Sequence, residues 1–546
     1  MSDAAVPRLR VAVYNKYWTT GGGAEKYGGL VAQVLATEHD VELLGPDEFD
    51  IDALADRLDL DLRGVRNRVI PEHLGALRWA SHEYDLVVNV SFMSHEAVRS
   101  RHSIYIVHFP AEVSKDLSQA QKLVIGALGG IVRSSAVNTG FGEGFYPPEG
   151  RRPRYFWASE DASFYVEPHA DRPTPLRLVF CRRRPAGLDP AEVAVDVDGA
   201  EVARLTLDPG ATALERRRKT NLDVELPASP TQAPVKVTVR VANPFVPAEV
   251  LGGPDTRSLG VALAAISSSR GLKARVGAQL GAWLPLLHRE PPSTDFITSY
   301  DAVVSNSEFT RRWVQRYWGA DSVVVYPPVT MQARGDKERI ILAVGRFFAA
   351  EAGHSKKQLE MVEAFRRLVE GGLEGWTLHL VGGCSAADRR YLDEVRAAAE
   401  GLPIELHVDA PGDELRDLYA RASIYWQATG LGEDPERDPD RLEHFGIATV
   451  EAMSAGAVPV VIGLAGQLEI VRDGETGYHF ATLDELVART AEVAGDDERR
   501  ALLSEAAEER ARDFSVEAFA ERFGAVVQGV VGEGGAGSFP LAATPP

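Results

Sequence analysis

Two blocks of alternating strand-like and helix-like segments restrict the fold of this chain more than any other feature of its sequence. The first block opens with RVAVYNKYW at 10–18, followed by a glycine-rich break, a helical pattern and the strand-like run DVELLG. A strand, a glycine loop, a helix and a second strand in this order are typical of a parallel α/β sheet. Strand-like runs at 84–90 and 103–109 continue the pattern. We therefore predict a doubly wound, Rossmann-like domain whose first part comprises residues 1–149.

Between about 150 and 265, short segments alternate apolar and polar residues, and long helical periodicity is missing. Asp198-Gly199 stands between two such segments, which is a strong signal for a β-hairpin. We predict an all-β insertion at 150–265, resembling a small sandwich. It carries the basic runs CRRRP (181–185) and ERRRK (215–219). These runs indicate either ordinary exposed loops or a surface that docks to anionic lipid or a charged glycan.

The strand–helix pattern then returns and continues to about residue 525. We assign 266–330 to the second part of the first domain, in which Ser307 is placed to cap the N-terminus of a helix. Two prolines at 327 and 328 indicate a linker, after which RIILAVGRF begins a second α/β domain at 331–525. The remaining residues, 526–546, are rich in Gly, Pro and Ala and are predicted to be a disordered tail.

Composition excludes several functional classes. The net charge of −20 argues against nucleic-acid binding, which depends on neutralising phosphates. Two cysteines far apart in sequence, Cys181 and Cys384, provide neither a disulfide framework nor a zinc site. The N-terminus lacks the apolar core of a signal peptide, so we expect a cytoplasmic protein. The longest apolar run, at 123–132, is about half of a membrane-spanning length; it predicts a core helix or, alternatively, a membrane-surface patch.

The segment EHFGIATVE at 443–451 places two carboxylates around the start of a predicted helix. The first N–H groups of a helix have no partner within the helix, and this end of the helix dipole is positive, so it favours anions such as a diphosphate. Glu443 and Glu451 are unsuited to phosphate but suited to sugar hydroxyls. The motif therefore predicts a nucleotide-sugar site; the alternative is a capped helix whose carboxylate only favours the dipole.

Two cations follow a predicted strand of the second domain. Arg346 lies directly after the strand-like run, and Lys356 lies ten residues further on. Ligands of open α/β sheets bind at this edge of the sheet, and an arginine with a lysine suits a pyrophosphate. The alternative is a pair of unrelated surface cations.

With these motifs in place, the sequence resembles the retaining glycosyltransferases of family four, in the glycogen synthase and mannosyltransferase-like group. These proteins have the GT-B fold, two Rossmann-like domains facing a cleft. The resemblance covers most of the chain outside 146–265. It rests on GGGAEKY, IVHFP and SNSEFTRRWV in the first domain, and on GRF…KKQLEMVEAF, LHLVGG, EHFGIATVEAMSAGAVPVV and GLAGQLEIVRDGETGYHF in the second.

The resemblance implies roles for individual residues. Glu451 would bind the ribose hydroxyls of a nucleotide donor, and Glu443 would contact hydroxyls of the transferred sugar. Arg346 and Lys356 would neutralise the departing diphosphate. The other implied site residues are the backbone of Phe445, Gly446 and Ile447 beside sugar and phosphate, Gly22 and Gly23 in the first loop, and His108 facing the reacting sugar.

Some features leave alternatives open or depart from the family pattern. His108 is otherwise a satisfied core histidine, and glycines 21–23 are otherwise a tight turn. Lys26 occupies the last position of a G-x-G-x-x-G motif, which weighs against a nicotinamide or flavin enzyme. Gln427 stands where the family has a histidine, and Leu468 stands where it has a proline.

The resemblance implies transfer with retention of configuration, and the cations remove the need for a metal or other cofactor. The D-x-D at Asp196–Asp198 is assigned to a hairpin turn and the acidic stretch at 432–440 to a solvated loop, so we predict no metal site. The leading hypothesis is a hexosyltransferase, mannose being preferred, that acts on a glycan or lipid-linked glycan in bacterial surface polysaccharide synthesis. Peripheral contact with the inner face of the membrane is part of this hypothesis.

Two other functional classes remain. In one, the β insertion binds carbohydrate and the GT-B half is an inactive scaffold. In the other, the chain is a GT-B sugar-nucleotide epimerase or a phosphorylase. The sequence identifies neither the donor base, the acceptor and its linkage, nor the oligomeric state.

Overall fold

The computed structural model describes residues 8–532, with gaps at 21, 71–75, 113–116, 134–143, 147–148, 150–154, 211, 213–214, 216–217, 231–234, 253, 268–275, 278–279, 281–283, 289–292 and 350–354. The chain begins as the sequence predicts, with alternating strands and helices. These elements are β1 (Arg10–Tyr14), α1 (Gly23–Ala36), β2 (Asp40–Gly45), α2 (Ile51–Leu58), β3 (Arg66–Val69), α3 (Ala76–Ala80), β4 (Leu86–Asn89), β5 (His102–Val107) and α4 (Gln119–Arg133).

The next part of the chain forms two four-stranded antiparallel sheets. Its elements are β6 (Phe156–Trp157), β7 (Asp161–Val166), β8 (Thr174–Cys181), β9 (Ala191–Val197), β10 (Ala200–Leu207), β11 (Lys219–Leu226), β12 (Val235–Val241), α5 (Pro247–Leu251) and β13 (Ala262–Ser267). The strand orders are β10-β9-β12-β7 and β11-β8-β13-β6. Side chains from both sheets, such as Phe180 and Val239, share one core. Asp198 and Gly199 both have positive φ (48° and 82°) and connect β9 to β10, which confirms the predicted hairpin.

The chain then returns to the first sheet. It adds β14 (Ala302–Ser305), α6 (Glu308–Trp318) and β15 (Val323–Val324). The completed sheet has seven parallel strands in the order β15-β14-β5-β4-β1-β2-β3. Read from the other edge, its first six strands have the doubly wound order 3-2-1-4-5-6 of a dinucleotide-binding fold. The Ser307 hydroxyl accepts the N–H of Thr310, so the predicted cap of α6 is confirmed.

The second sheet has six parallel strands, and its order β18-β17-β16-β19-β20-β21 repeats the same topology. Its elements are β16 (Glu338–Val344), α7 (Gln358–Glu370), β17 (Thr377–Gly382), α8 (Arg389–Ala399), β18 (Ile404–Val408), α9 (Gly412–Arg421), β19 (Ala422–Gln427), α10 (Ile447–Ser454), β20 (Val458–Ile462), α11 (Gln467–Ile470), β21 (Tyr478–Phe480), α12 (Leu483–Gly495), α13 (Asp497–Ala511) and α14 (Val516–Val531). The predicted fold class, two Rossmann-like domains in a GT-B arrangement, is confirmed.

The final helix corrects the predicted end of the second domain. α14 extends to Val531, six residues into the segment predicted as a disordered tail. Phe519, Phe523, Val526 and Val530 of α14 pack in the core that contains β1 and α1. The helix therefore returns to the first domain, because its apolar side is buried there. Residues 533–546 of the predicted tail lie outside the described residues.

Contacts across the cleft join the two domains. The Glu469 carboxylate of α11 accepts the backbone N–H groups of Glu308 (2.8 Å) and Phe309 (2.9 Å) at the start of α6. The ring of Phe109, just after β5, stacks on His444 with centroids 3.9 Å apart. A small apolar cluster around these contacts buries side chains from both domains: Phe109, Phe309, Trp313, Leu442 and Ala465.

The basic run CRRRP is not the exposed loop that the sequence predicts. Arg184 is buried and donates to the carbonyls of Asp189 and Asn243, while Arg183 lies over the ring of Tyr155. The Arg182 guanidinium lies 3.5 Å from Asp208. These contacts engage the cations within the β-rich part of the chain, so this run does not form a basic docking surface. Part of the second run, ERRRK, lies outside the described residues.

The apolar run at 123–132 lies in α4. Ile125 is buried, whereas Leu123, Val124 and Leu128 have exposed fractions of 73%, 39% and 37%. Over residues 119–128, whose side chains the structure describes, the helix is thus mostly exposed, which does not fit its prediction as an ordinary core helix. Among the residues that the structure describes, no helix is long and apolar enough to cross a membrane.

Candidate functional site

The start of α10 is built around Gly446. This residue has φ 122°, in the region that favours glycine, and a Cβ here would lie 2.2 Å from the side-chain Nε2 of Gln467. The neighbouring Phe445 is buried, and its ring packs against Tyr326 and Phe514. Packing and backbone conformation therefore hold the first turn of α10, with its N–H groups, at the carboxyl edge of the second sheet. The side chain that comes close to Gly446 is that of Gln467.

The first carboxylate of the motif pairs with one of the two predicted cations. Lys356 Nζ lies 2.6 Å from Glu443 Oε2, and Gln427 Nε2 donates to the same oxygen at 3.0 Å. Gly345, directly after β16, makes room for the lysine, because a Cβ there would lie 2.6 Å from Lys356 Cγ. Gln427, the departure from the family pattern, is thus a partner of the glutamate.

Arg346 follows Gly345 at the same edge of the sheet. Its guanidinium is exposed, and it lies 5.7 Å from the centre of the Phe348 ring. The carbonyls of Gly345 and Arg346 both accept from the amide of Gln358 in α7, which secures the turn after β16. Arg346 is thus an exposed residue directly after the glycine that packs against Lys356.

The second carboxylate lies in the second turn of α10. Glu451 Oε2 accepts a hydrogen bond from the Tyr419 hydroxyl, with the two oxygens 2.9 Å apart, and Oε1 lies 3.4 Å from Lys26 Nζ of α1. Burial raises the pKa of Glu451, and Lys26 and the hydroxyl of Tyr419 act against this rise. The two domains therefore meet at a largely buried carboxylate, with 12% of its side chain exposed, that has one cationic and one hydroxyl partner.

The glycine loop of the first domain leads directly to Lys26. The Gly22 N–H donates to Glu25 Oε2 at 2.7 Å, and the Thr20 hydroxyl donates to the same oxygen at 2.8 Å. A Cβ on Gly23 would meet nothing within 4 Å. Local packing therefore does not account for glycine at 23, and the space in front of it is open. Gly21 lies outside the described residues.

His108 lies just after β5 and is held by two contacts. Its Nε2 is 2.8 Å from the Val90 carbonyl oxygen, and its ring meets Tyr27 edge-on with centroids 5.3 Å apart. Burial lowers the pKa of His108, which favours the neutral imidazole. The adjoining Phe109 stacks on His444, so His108 is next in sequence to a residue that contacts the EHFG segment. Its assignment to the reacting sugar stays a prediction.

Sequence analysis missed three residues of this arrangement: Lys26, Tyr419 and Glu25. Lys26 was considered only as an interruption of a dinucleotide motif, although its place in the first turn after the glycine loop was a usable signal. Tyr419 lies on α9, 32 residues from Glu451, and no local pattern connects the two.

The acidic stretch at 432–440 is not simply a solvated loop. Glu433 lies 2.9 Å from Lys357 Nζ and 3.5 Å from the Arg441 guanidinium, and only 15% of its side chain is exposed. The stretch is therefore tied to the residue that follows Lys356. The two neighbouring lysines therefore have different partners: Lys357 pairs with Glu433 and Lys356 with Glu443.

Comparisons with known proteins find a family match in the part of the chain that contains α10 and the residues around it. Residues 331–510 match the family model for glycosyl transferases group 1. A GDP-Man:Man(3)GlcNAc(2)-PP-Dol alpha-1,2-mannosyltransferase of Dictyostelium discoideum is 29% identical over 243 residues, 40% of this chain and 46% of that protein. A GDP-mannose:cellobiosyl-diphosphopolyprenol alpha-mannosyltransferase of Komagataeibacter xylinus is 31% identical over 182 residues, 33% of this chain and 40% of that protein. The chain spans less than half the length of these curated relatives.

Solved structures give similarity over most of the chain at low identity. Anabaena HepE in complex with UDP and glucose is 11% identical, with a TM-score of 0.49, and the match covers 95% of this chain and all of that one. Sucrose-phosphate synthase of Thermosynechococcus elongatus is 13% identical, with a TM-score of 0.46 and coverage of 95% and 98%.

Proposed function

We propose that this protein is a retaining glycosyltransferase that moves mannose from a nucleoside-diphosphate donor to a lipid-linked glycan. The observation that carries the proposal is the pair of carboxylates around the start of α10. Glu443 is paired with Lys356, and Glu451 with Lys26 and Tyr419, in a cleft between two Rossmann-like domains. A donor has a sugar, a diphosphate and a ribose in that order, and the site offers a carboxylate, cations with helix N–H groups, and a second carboxylate.

In this proposal each end of the donor meets a different carboxylate. Glu451 accepts hydrogen bonds from the ribose hydroxyls, with Tyr419 orienting its side chain. Glu443 accepts from hydroxyls of the transferred sugar. Lys356 has three N–H donors, so it can hold Glu443 with one and diphosphate oxygens with the others. When the donor binds, hydrogen bonds from the ribose hydroxyls to Glu451 then replace part of the Lys26–Glu451 contact.

The chemistry is electrostatic. The bond from the anomeric carbon to the phosphate breaks through an oxocarbenium-like state, and negative charge grows on the departing diphosphate. Lys356, Arg346 and the N–H groups at the start of α10 stabilise that charge. The acceptor oxygen attacks from the face that the diphosphate leaves, and a phosphate oxygen takes its proton, so Glu443 is not the nucleophile. We expect no metal or other cofactor to be needed, since the cations balance the charge.

The names of the relatives supply the finer part of the proposal. Both relatives are named for GDP-mannose donors and for acceptors on a lipid diphosphate, dolichol in one and a polyprenol in the other. A lipid-linked acceptor requires access to a membrane surface. The exposed apolar side chains of α4 in the first domain suit such contact. These features support our proposal that the protein acts at the cytoplasmic face of a membrane, in bacterial surface polysaccharide synthesis.

Substitution of the two ends of the site tests this proposal. Glu451→Ala and Lys356→Ala are each expected to lower transfer from GDP-mannose by at least about 100-fold, the usual effect of removing one preorganised stabilising group. Circular dichroism should show that both variants remain folded. Glu475→Ala and Arg437→Ala, which remove an exposed charge of each sign outside the site, serve as matched controls and should retain turnover. Near-wild-type transfer by either site variant would overturn the assignment, and binding of glycan without turnover in the wild type would favour a scaffold.

A further inference from the structure

Two histidines and a glutamate converge on the edge of the second sheet. His379 lies on β17, and Glu405 and His407 lie on the edge strand β18. Residues two apart on a strand share a face of the sheet. In the parallel register, His379 is the partner of Glu405 and Val381 is the partner of His407. The three side chains therefore lie on one face, and backbone pairing fixes their spacing.

The distances between their ligand atoms are close to those around a tetrahedral cation. His379 Nδ1 lies 3.0 Å from His407 Nε2, and Glu405 Oε2 lies 3.8 and 3.7 Å from these two nitrogens. Zinc binds histidine nitrogen and carboxylate oxygen at about 2.0–2.2 Å, which separates neighbouring ligands of a tetrahedral ion by about 3.3 Å. Movements of a few tenths of an ångström would thus admit an ion, and Glu405, with 60% of its side chain exposed, is free to make most of them.

The other nitrogen of each imidazole is already engaged. His407 Nδ1 lies 2.5 Å from Glu414 Oε1, on the first turn of α9, and His379 Nε2 lies 3.1 Å from the Thr377 hydroxyl. A carboxylate behind a histidine is the usual arrangement at metal sites, where it sets the tautomer and raises the basicity of the ligand nitrogen. These contacts aim Nδ1 of His379 and Nε2 of His407 at the same point.

We propose that His379, His407 and Glu405 bind a divalent transition-metal cation of the zinc type, with water as the fourth ligand. Without metal, a neutral His379 that carries its proton on Nδ1 can donate to His407 Nε2. Binding of the cation needs the other neutral tautomer of His379, with its proton on Nε2 facing the Thr377 hydroxyl oxygen, so the cation replaces this hydrogen bond and both imidazoles stay neutral. Imidazole nitrogens and a carboxylate form a ligand set that suits zinc and its neighbours better than magnesium or calcium.

The site has a structural consequence that is independent of glycosyl transfer. Glu414 connects the metal-binding histidine to α9, and the same helix carries Tyr419, the partner of Glu451. A bound cation therefore ties β17, β18 and the N-terminus of α9 together. Because it binds the folded state, it should raise the melting temperature in proportion to the logarithm of its concentration above the dissociation constant.

Calorimetric titration of the untagged, chelator-stripped full chain with zinc chloride tests the proposal. We expect one equivalent to bind and the melting temperature to rise. Glu405→Gln and His407→Ala should weaken binding at least about tenfold, and Glu414→Gln, which removes no ligand, by about tenfold. Circular dichroism establishes that the variants are folded. His82→Ala, which removes an exposed histidine of the first domain, should bind like the wild type.

Three results would overturn this proposal. The first is no one-to-one binding of zinc, even at zinc concentrations about 100 times those typical of the titration. The second is unchanged zinc affinity in Glu405→Gln and His407→Ala, and the third is an equal loss of zinc affinity in His82→Ala. Glycosyl transfer is not the readout, so failure here leaves the proposed function untouched, and failure of transfer leaves this site untouched.

Discussion

Lys26 shows how a single residue can connect the two domains. Its ammonium, with 22% of the side chain exposed, lies beside the largely buried Glu451 carboxylate of the other domain. A buried carboxylate that loses its cation is costly, whereas removing both partners together costs less. The sequence predicted a helix at Glu451 and assigned Lys26 to the glycine-rich break before another helix, but pairing across 425 residues depends on how the domains meet, which no local pattern specifies.

A double-mutant cycle tests this contact. Lys26→Met should lower the free energy of unfolding, and Glu451→Gln should lower it less when Lys26 is already replaced. We expect a coupling energy of about 1–3 kcal/mol, measured by chemical denaturation without donor. Additive effects of the two substitutions would show that the ion pair does not join the domains in solution.

Lys337 provides a pH-dependent prediction. Its Nζ donates to the carbonyl of Ala422 at 2.8 Å, and burial lowers the pKa of Lys337 from 10.5 to about 7. Between these two pH values the unfolded chain binds more protons than the native state, so the free energy of unfolding rises with pH across this window. Below pH 7 the buried Lys337 of the wild type is charged, which lowers the free energy of unfolding by the full amount. This destabilisation disappears as the pH approaches 10.5.

Lys337→Met removes this dependence. The difference in melting temperature, variant minus wild type, should therefore be largest near pH 6 and should decrease steadily towards pH 10. Thermal scans across that range measure it, with the exposed Lys236→Met as the control that should show no such trend. A difference that is constant or grows with pH would contradict the burial of this ammonium.

At the scale of elements, α6 shows what sequence reasoning can and cannot reach. Its cap by Ser307 was predictable, since a serine directly before a helical pattern provides an acceptor within the same turn. The first two N–H groups of the helix, at Glu308 and Phe309, are instead satisfied by Glu469 of the other domain. That acceptor lies about 160 positions away, so it follows from domain packing rather than from any motif.

Glu469→Ala should destabilise the protein by roughly 2–3 kcal/mol, because it leaves two partly buried N–H groups without their acceptor. Thermal or denaturant unfolding measures the loss, with Glu475→Ala, an exposed carboxylate close by in sequence, as the matched control. Equal stability of the two variants would show that the carboxylate does not cap α6.

For the whole molecule, the strand–helix alternation was sufficient to predict two parallel doubly wound domains. The sheet orders confirm that prediction because hydrophobic periodicity and glycine turns specify βαβ units locally. The path of α14 was missed, since its apolar residues would suit any core and only the assembled structure shows which core accepts them. The hydrogen-bond partners of Glu443 and Glu451 were missed for the same reason, although both carboxylates were identified from their motif.

The measurement that tests the central claim most directly is release of nucleoside diphosphate from a sugar donor by the purified protein, with EDTA present and no acceptor. Samples with and without donor share the same EDTA, so loss of any bound metal affects both equally. We predict a thermal shift with GDP-mannose and slow release of GDP, both lost in Lys356→Ala. Absence of a shift and of hydrolysis with every nucleotide sugar tested would contradict the assignment of this cleft as a donor site.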